Sequence, residues 1–150
     1  MRRCCSGTAA ASGGCFSMTV ILVGHGSLPQ GMLAAAELIL GPQEQVHALG
    51  LEPGDSPEVL AGRLESLVAG AERGVLVLAD LFGGSPANAA ARVLMGGSRG
   101  VQVVAGLNLP MLLEVLMARL QGVADAAELA RRAAEAGRDG VRDMRPIFGG

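Results

Sequence analysis

The sequence contains no lysine, no tyrosine and no tryptophan. Without lysine there is no Schiff-base nucleophile and no P-loop, whose phosphate-binding lysine would be missing. Without tyrosine or tryptophan, and with only three phenylalanines, the chain has no stacking platform for single-stranded nucleic acid. Its basic residues, all arginine, number 12 against 14 acidic ones, so the net charge is −2 and no basic field exists to hold a polyanion. No apolar run approaches the ~18 residues that span a bilayer. Cysteine is absent from Thr19 onward, because Cys4, Cys5 and Cys15 all lie near the start. A stapled secreted domain would carry its cysteines in its body, so the composition reads as reducing and cytoplasmic.

What is present is aliphatic. Half of the 150 residues are hydrophobic and 23 are glycine. The length suits one domain with a core of Ala, Val, Leu, Ile and Met. Residues 1–17 are small and polar and lack the apolar stretch of ~7–15 residues that a signal peptide needs. They read as a disordered extension ahead of a domain at 18–150. Competing readings are metal binding by the Cys4-Cys5 pair and lipidation; no histidine or acidic residue in the segment supports a metal.

Four runs have the character of strands: Thr19–Val23, Gln45–Leu49, Val75–Ala79 and Val101–Ala105. Three are too apolar for a half-solvated strand and suit a parallel sheet covered on both faces. The run at 45–49 is more mixed and suits an edge. Helical patterns fill the gaps. One covers Met32–Leu40 and stops at Gly41-Pro42. A second opens at Asp55-Ser56-Pro57 with a capping side chain. A third has Ser85 as N-cap and Pro86 as its first residue, a fourth covers Pro110–Arg119, and a fifth runs from Asp125 to about Val141. The tail from Asp143 to Gly150 is a short strand or a loose end. Strands and helices alternating at this period predict an open, doubly wound, mostly parallel α/β sheet of four βα units.

Ligands in such sheets bind beyond the carboxyl ends of the strands. The loops there are Gly24-His25-Gly26-Ser27, the stretch from Gly50 to Asp55, Asp80-Leu81-Phe82-Gly83-Gly84-Ser85-Pro86, and Gly106-Leu107-Asn108-Leu109-Pro110. His25 between two glycines is open to another molecule. Adjacent parallel strands would bring Asp80 within its reach. A carboxylate accepting from one imidazole nitrogen leaves the other as a nucleophile and offsets the positive ring once that nitrogen is substituted. Gly83 and Gly84 before a helix start leave room for an anion over free N–H groups, with Ser85 beside it. His47, in mid-strand, reads as a half-buried edge residue.

Two enzyme motifs are excluded. Gly83-Gly84-Ser85-Pro86-Ala87 approaches a nucleophile elbow, but the oxyanion hole needs an N–H on the residue after the serine and Pro86 has none. Gly24-x-Gly26 is not followed by the third glycine of a dinucleotide fingerprint, and no acidic residue ends the second strand at Leu49.

With these residues in place, the chain resembles the IIA domain of the mannose family of the bacterial sugar phosphotransferase system. The matching stretches are Ile21–Gly26, Gly50–Asp55, Asp80–Arg92 and Ala105–Glu114. The resemblance implies that His25 accepts a phosphoryl group from HPr and passes it to a IIB domain for sugar uptake. Asp80 would orient the ring, and Ser85, Gly84 and Gly83 would hold the phosphoryl oxygens, with no cofactor and no metal. It also implies a homodimer in which a C-terminal antiparallel strand is exchanged. Asn88, Arg92, Asn108 and Met111 would lie on the partner surface, and the membrane would be reached only through the sugar permease. Leu81-Phe82 departs from the Thr-Trp pair of some members. Two other readings stand beside this one: a stand-alone, phosphorylation-dependent regulatory module of the same fold, and a flavodoxin-like protein that binds a small molecule.

Overall fold

The computed structural model describes residues 18–98 and 100–149. The expectations for residues 1–17 therefore lie outside the described residues. Four strands form one sheet: β1 (Thr19–His25), β2 (Val46–Leu51), β3 (Val75–Ala79) and β4 (Val101–Ala105). All neighbours are parallel, in the order β2-β1-β3-β4. The α/β fold with one parallel sheet is thus as the sequence predicts, and the mixed strand β2 is indeed an edge.

The period of two along each strand divides the core into two layers. Val20, Leu22, Leu76 and Leu78 point to one face and pack against Ala36, Leu112, Val115, Leu116, Leu129 and Ala133. These residues belong to α1 (Leu28–Leu40), α4 (Leu109–Leu120) and α5 (Ala126–Asp139). Ile21, Val23, Val75, Val77 and Ala79 point to the other face, against Leu60, Leu64, Ala89, Ala90 and Val93. These come from α2 (Pro57–Gly70) and α3 (Ser85–Met95). Every strand residue from Val20 to Val23 and from Leu76 to Ala79 is fully buried, which explains their unbroken apolar runs.

Chain direction decides where the site must be. The chain leaves β1 for β2 on one side, then returns across to β3 on the other side of β1. The carboxyl ends of β1 and β3 therefore flank the switch point, where the two crossovers part and leave a crevice.

Several boundaries differ from the pattern reading. β2 continues to Leu51 because Gly24 and His25 pair with Gly50 and Leu51. α1 starts four residues early, at Leu28, since Pro29 is tolerated in a first turn. Ser56 precedes α2 but makes no capping bond; Asp55 instead accepts from the Glu52 N–H and closes the turn. α3 has Gly84 as its cap and Ser85 as its first residue, one position earlier than expected. The tail, expected to be a short strand or a loose end, holds a helical turn, α6 (Arg145–Phe148). Its Met144, Ile147 and Phe148 are exposed.

Candidate functional site

Two loops meet over the switch point. The first leaves β1 at His25. Gly26 follows in the left-handed region, with φ +56°, and turns the chain straight into α1. Its N–H donates to the Leu51 carbonyl, which ties the turn to β2. The second leaves β3 at Asp80, whose N–H donates to Val23 and prolongs the β1–β3 ladder by one bond. Gly83, with φ +81°, then reverses the chain so that Gly84 caps α3.

Asp80 turns inward. Its side chain is 7% exposed, whereas that of His25 is 52% exposed. One carboxylate oxygen, Oδ2, accepts from the backbone N–H of His25 at 2.9 Å and lies 2.8 Å from its Nδ1. An ionised carboxylate can only accept, so a neutral ring held this way carries its proton on Nδ1 and keeps the lone pair on Nε2. Double anchoring fixes both the backbone and the ring of one residue. The other oxygen, Oδ1, is buried and has no hydrogen-bond partner among the described residues.

The start of α3 stands against the same ring. A Cβ on Gly84 would lie 3.1 Å from His25 Cε1, so the glycine lets the helix start touch the imidazole edge. Ser85 and Pro86 follow in the first turn, where N–H groups have no helical partner and the dipole favours an anion. The expected pair His25 and Asp80 is thus brought together, with Gly83, Gly84 and Ser85 next to it. Among the described residues no three His, Cys, Asp or Glu side chains converge as a metal set.

The expected partner surface divides. Arg92 is exposed on α3 and pairs with Glu58 of α2 at 3.5 Å. The N–H at the start of α2 is the main cause that holds the Glu58 carboxyl below its ordinary range, and Arg92 adds to it. Asn88 is exposed and reaches back to the Gly83 carbonyl at 3.4 Å. Asn108 caps α4, accepting from Met111 N–H at 3.0 Å and donating to the Gly137 carbonyl at 2.9 Å. Met111 is buried at 3% exposure within the core. It faces Gly137 so closely that a Cβ there would meet its terminal methyl at 2.7 Å and displace it. Met111 thus lies mostly in the core, and what exposure it keeps is in the lining of a groove against β4. The pattern reading already had Met111 in the fourth helix, but only the packing of α4 on α5 turns it inward.

Sequence reasoning missed Gly50, where a Cβ would overlap the Gly26 carbonyl oxygen. The contact locks the β2 end onto the histidine loop. Only the register, in which Gly24 faces Gly50, reveals it. It also missed Arg119 of α4, buried at 4% exposure. This arginine donates to the carbonyls of Met18 and Gln45, at the amino ends of β1 and β2. Burial lowers its pKa to about 10, opposed by Glu44, so it stays charged at neutral pH.

A parallel α/β sheet that sets a half-exposed histidine against a buried carboxylate at its switch point defines the class of fold and site. Comparison with known proteins makes the class specific. The family model EIIA-man, described as PTS system fructose IIA component, matches residues 19–133. The mannose-specific EIIAB component of the phosphotransferase system of Escherichia coli K12 is 37% identical over 131 residues, which cover 86% of this chain and 40% of that protein. The sorbose-specific EIIA component of Lacticaseibacillus casei is 35% identical over 99 residues, 65% of this chain and 71% of that one. The crystal structure of the phosphotransferase component EIIA from Streptococcus agalactiae superposes with a TM-score of 0.81 at 30% identity, covering 86% and 98% of the two chains. The chain belongs to the mannose-type IIA family of the sugar phosphotransferase system. It spans less than half the length of the E. coli relative. No helix among the described residues is long and apolar enough to cross a membrane.

Proposed function

We propose that the chain is a phosphocarrier of the sugar phosphotransferase system. His25 accepts a phosphoryl group from phosphorylated HPr and passes it to a IIB domain. The observation that carries this reading is the 2.8 Å contact between Nδ1 of His25 and Oδ2 of Asp80 at the switch point. It leaves Nε2 as the nucleophile.

In the step itself the Nε2 lone pair attacks phosphorus. The new N–P bond forms as the bond from phosphorus to the donor's histidine nitrogen breaks, and the donor ring leaves with that electron pair. The substituted ring of His25 becomes positive, and Asp80 offsets that charge from its desolvated position. The N–H groups left free at the start of α3, with Ser85 and the space that Gly83 and Gly84 leave, hold the phosphoryl oxygens. Transfer to the IIB domain is the same exchange in the other direction. The reaction is nearly balanced between two phosphohistidines, so neither a metal nor a nucleotide is needed to drive it.

The protein works in the cytoplasm, as domain 18–150, and as a homodimer. A groove beside the outer edge of β4, lined by Val103, Ala105, Gly106, Ala134, Gly137 and Val141, is where an exchanged tail strand from a second copy would seat. The exposed apolar tail residues Met144, Ile147 and Phe148 would then be covered.

Incubation with phosphorylated HPr tests the assignment. The expected product is an acid-labile, base-stable phosphoryl adduct on the wild type and none on His25→Ala. Label that persists in the variant overturns the assignment.

A further inference from the structure

We propose that Gly24 is a positioning residue for His25: the hydrogen it carries in place of a side chain is the opening through which the Asp80 carboxylate reaches the histidine. The proposal rests, for its rate measurement alone, on the phosphocarrier reading.

Gly24 lies inside β1, buried, and pairs with Gly50 of β2. Its backbone is not in the left-handed region, so conformational freedom does not explain a glycine there. Space does. A Cβ at this position would stand 2.9 Å from Asp80 Oδ2 and 3.0 Å from Cγ. Oδ2 is the very oxygen that holds both the N–H and Nδ1 of His25. Nor can the added carbon yield the other way, because Pro29 Cγ lies 3.1 Å off on α1, and Pro29 is itself buried. The carboxylate would have to move, and both bonds to His25 depend on its present place.

The glycines around the site therefore serve different needs. Gly26 and Gly83 have positive φ and nothing within 4 Å of a Cβ, so they are there to turn the chain. Gly84 clears the imidazole edge at 3.1 Å. Gly24 alone clears the carboxylate. Its effect on His25 passes entirely through Asp80, which makes a sharp test possible.

The test compares wild type, Gly24→Ala, Asp80→Ala and the double variant. Ring nitrogen NMR on His25 reports the tautomer and needs no phosphoryl donor. The wild type is expected to hold the proton on Nδ1, and Gly24→Ala to shift it toward Nε2, as in a free histidine. Phosphorylation by phosphorylated HPr is expected to slow by about 10-fold or more in Gly24→Ala, with the cooperative thermal transition retained. In the Asp80→Ala background the added methyl meets no carboxylate, so Gly24→Ala is expected to change the rate less than about twofold. A wild-type tautomer in Gly24→Ala overturns the proposal, and so does a rate loss that persists undiminished beside Asp80→Ala. If Gly24→Ala alone does not fold, the double variant decides: a folded one supports the clash with Asp80, and an unfolded one overturns it. A wild type that takes no phosphoryl group would sink the phosphocarrier reading, while the tautomer would still decide the role of Gly24.

Discussion

Two buried charges sit at opposite ends of the same sheet, and they do opposite jobs. Asp80 stands at the carboxyl end of β3 and holds a half-exposed histidine. Arg119 reaches the amino ends of β1 and β2 and donates to the backbone carbonyls of Met18 and Gln45 there. Strand carbonyls and the turn entering β2 leave acceptors at the amino end, which a cation satisfies. Free N–H groups and a helix start gather at the other end, where an anion is at home. Burial of a charge is therefore not by itself a sign of function; what the charge faces decides.

Exchanging the two readouts is the way to break this comparison. The largest effect is expected at Asp80. Asp80→Asn keeps an oxygen for the His25 N–H but loses the charge that offsets a substituted ring. Phosphoryl transfer should slow by about 10- to 100-fold, or ~1.4–2.7 kcal/mol, in a protein of nearly unchanged stability. Wild-type rates in a stopped-flow transfer assay would remove Asp80 from the mechanism. Next comes Arg119→Met. Two carbonyls lose their donor, so urea unfolding should show a loss of about 1–3 kcal/mol, while transfer per folded molecule stays as in the wild type. A stable Arg119→Met protein that transfers slowly would reverse the two roles.

Smaller effects sharpen the contrast between core and surface. Asn108→Ala removes both a cap and the tie to Gly137, and should lower stability by about 1 kcal/mol without touching transfer. The smallest effect is at Glu128, whose carboxyl is held below its ordinary range chiefly by hydrogen bonding from Arg131, with Arg132 adding to it. A depressed acidic pKa contributes stability that is present above the ordinary value of 4.5 and lost as pH falls through the lowered one. Glu128→Gln should thus reduce thermal stability slightly at neutral pH and flatten its decline between about pH 5 and 3. An unchanged acid limb in calorimetry would show that this exposed network contributes nothing.

These regions also differ in how far the sequence discloses them. The carboxyl end announces itself, because strands that end in Gly-His-Gly and in Asp before a double glycine place their polar residues where parallel sheets put their sites. Both His25 and Asp80 are legible from strand ends and from the fold class. The amino end is silent. Arg119 lies in a helix whose other residues, Glu114 apart, are apolar, and nothing local tells that it turns inward, since these carbonyl partners are 74 and 101 residues away. Met111 fails in reverse, as an apolar residue next to a Gly-Asn-Pro loop whose burial depends on contact with α5. The end of β2 was hidden for the same reason. Leu51 is a strand residue only because His25 lies opposite. Local patterns reveal what local forces decide; cross-chain pairing and inward-turned charges belong to the assembled fold.

The parallel sheet has a kinetic consequence. All four strands point the same way, so among the described residues Nε2 is approached over the carboxyl end of the sheet. A donor and an acceptor cannot both occupy that approach. On the phosphocarrier reading, the protein must release one partner before it meets the next, and its two half-reactions are separated in time. Steady-state traffic should then give parallel double-reciprocal plots. Surplus unphosphorylated acceptor should act as an inhibitor, by occupying the doorway that the donor needs.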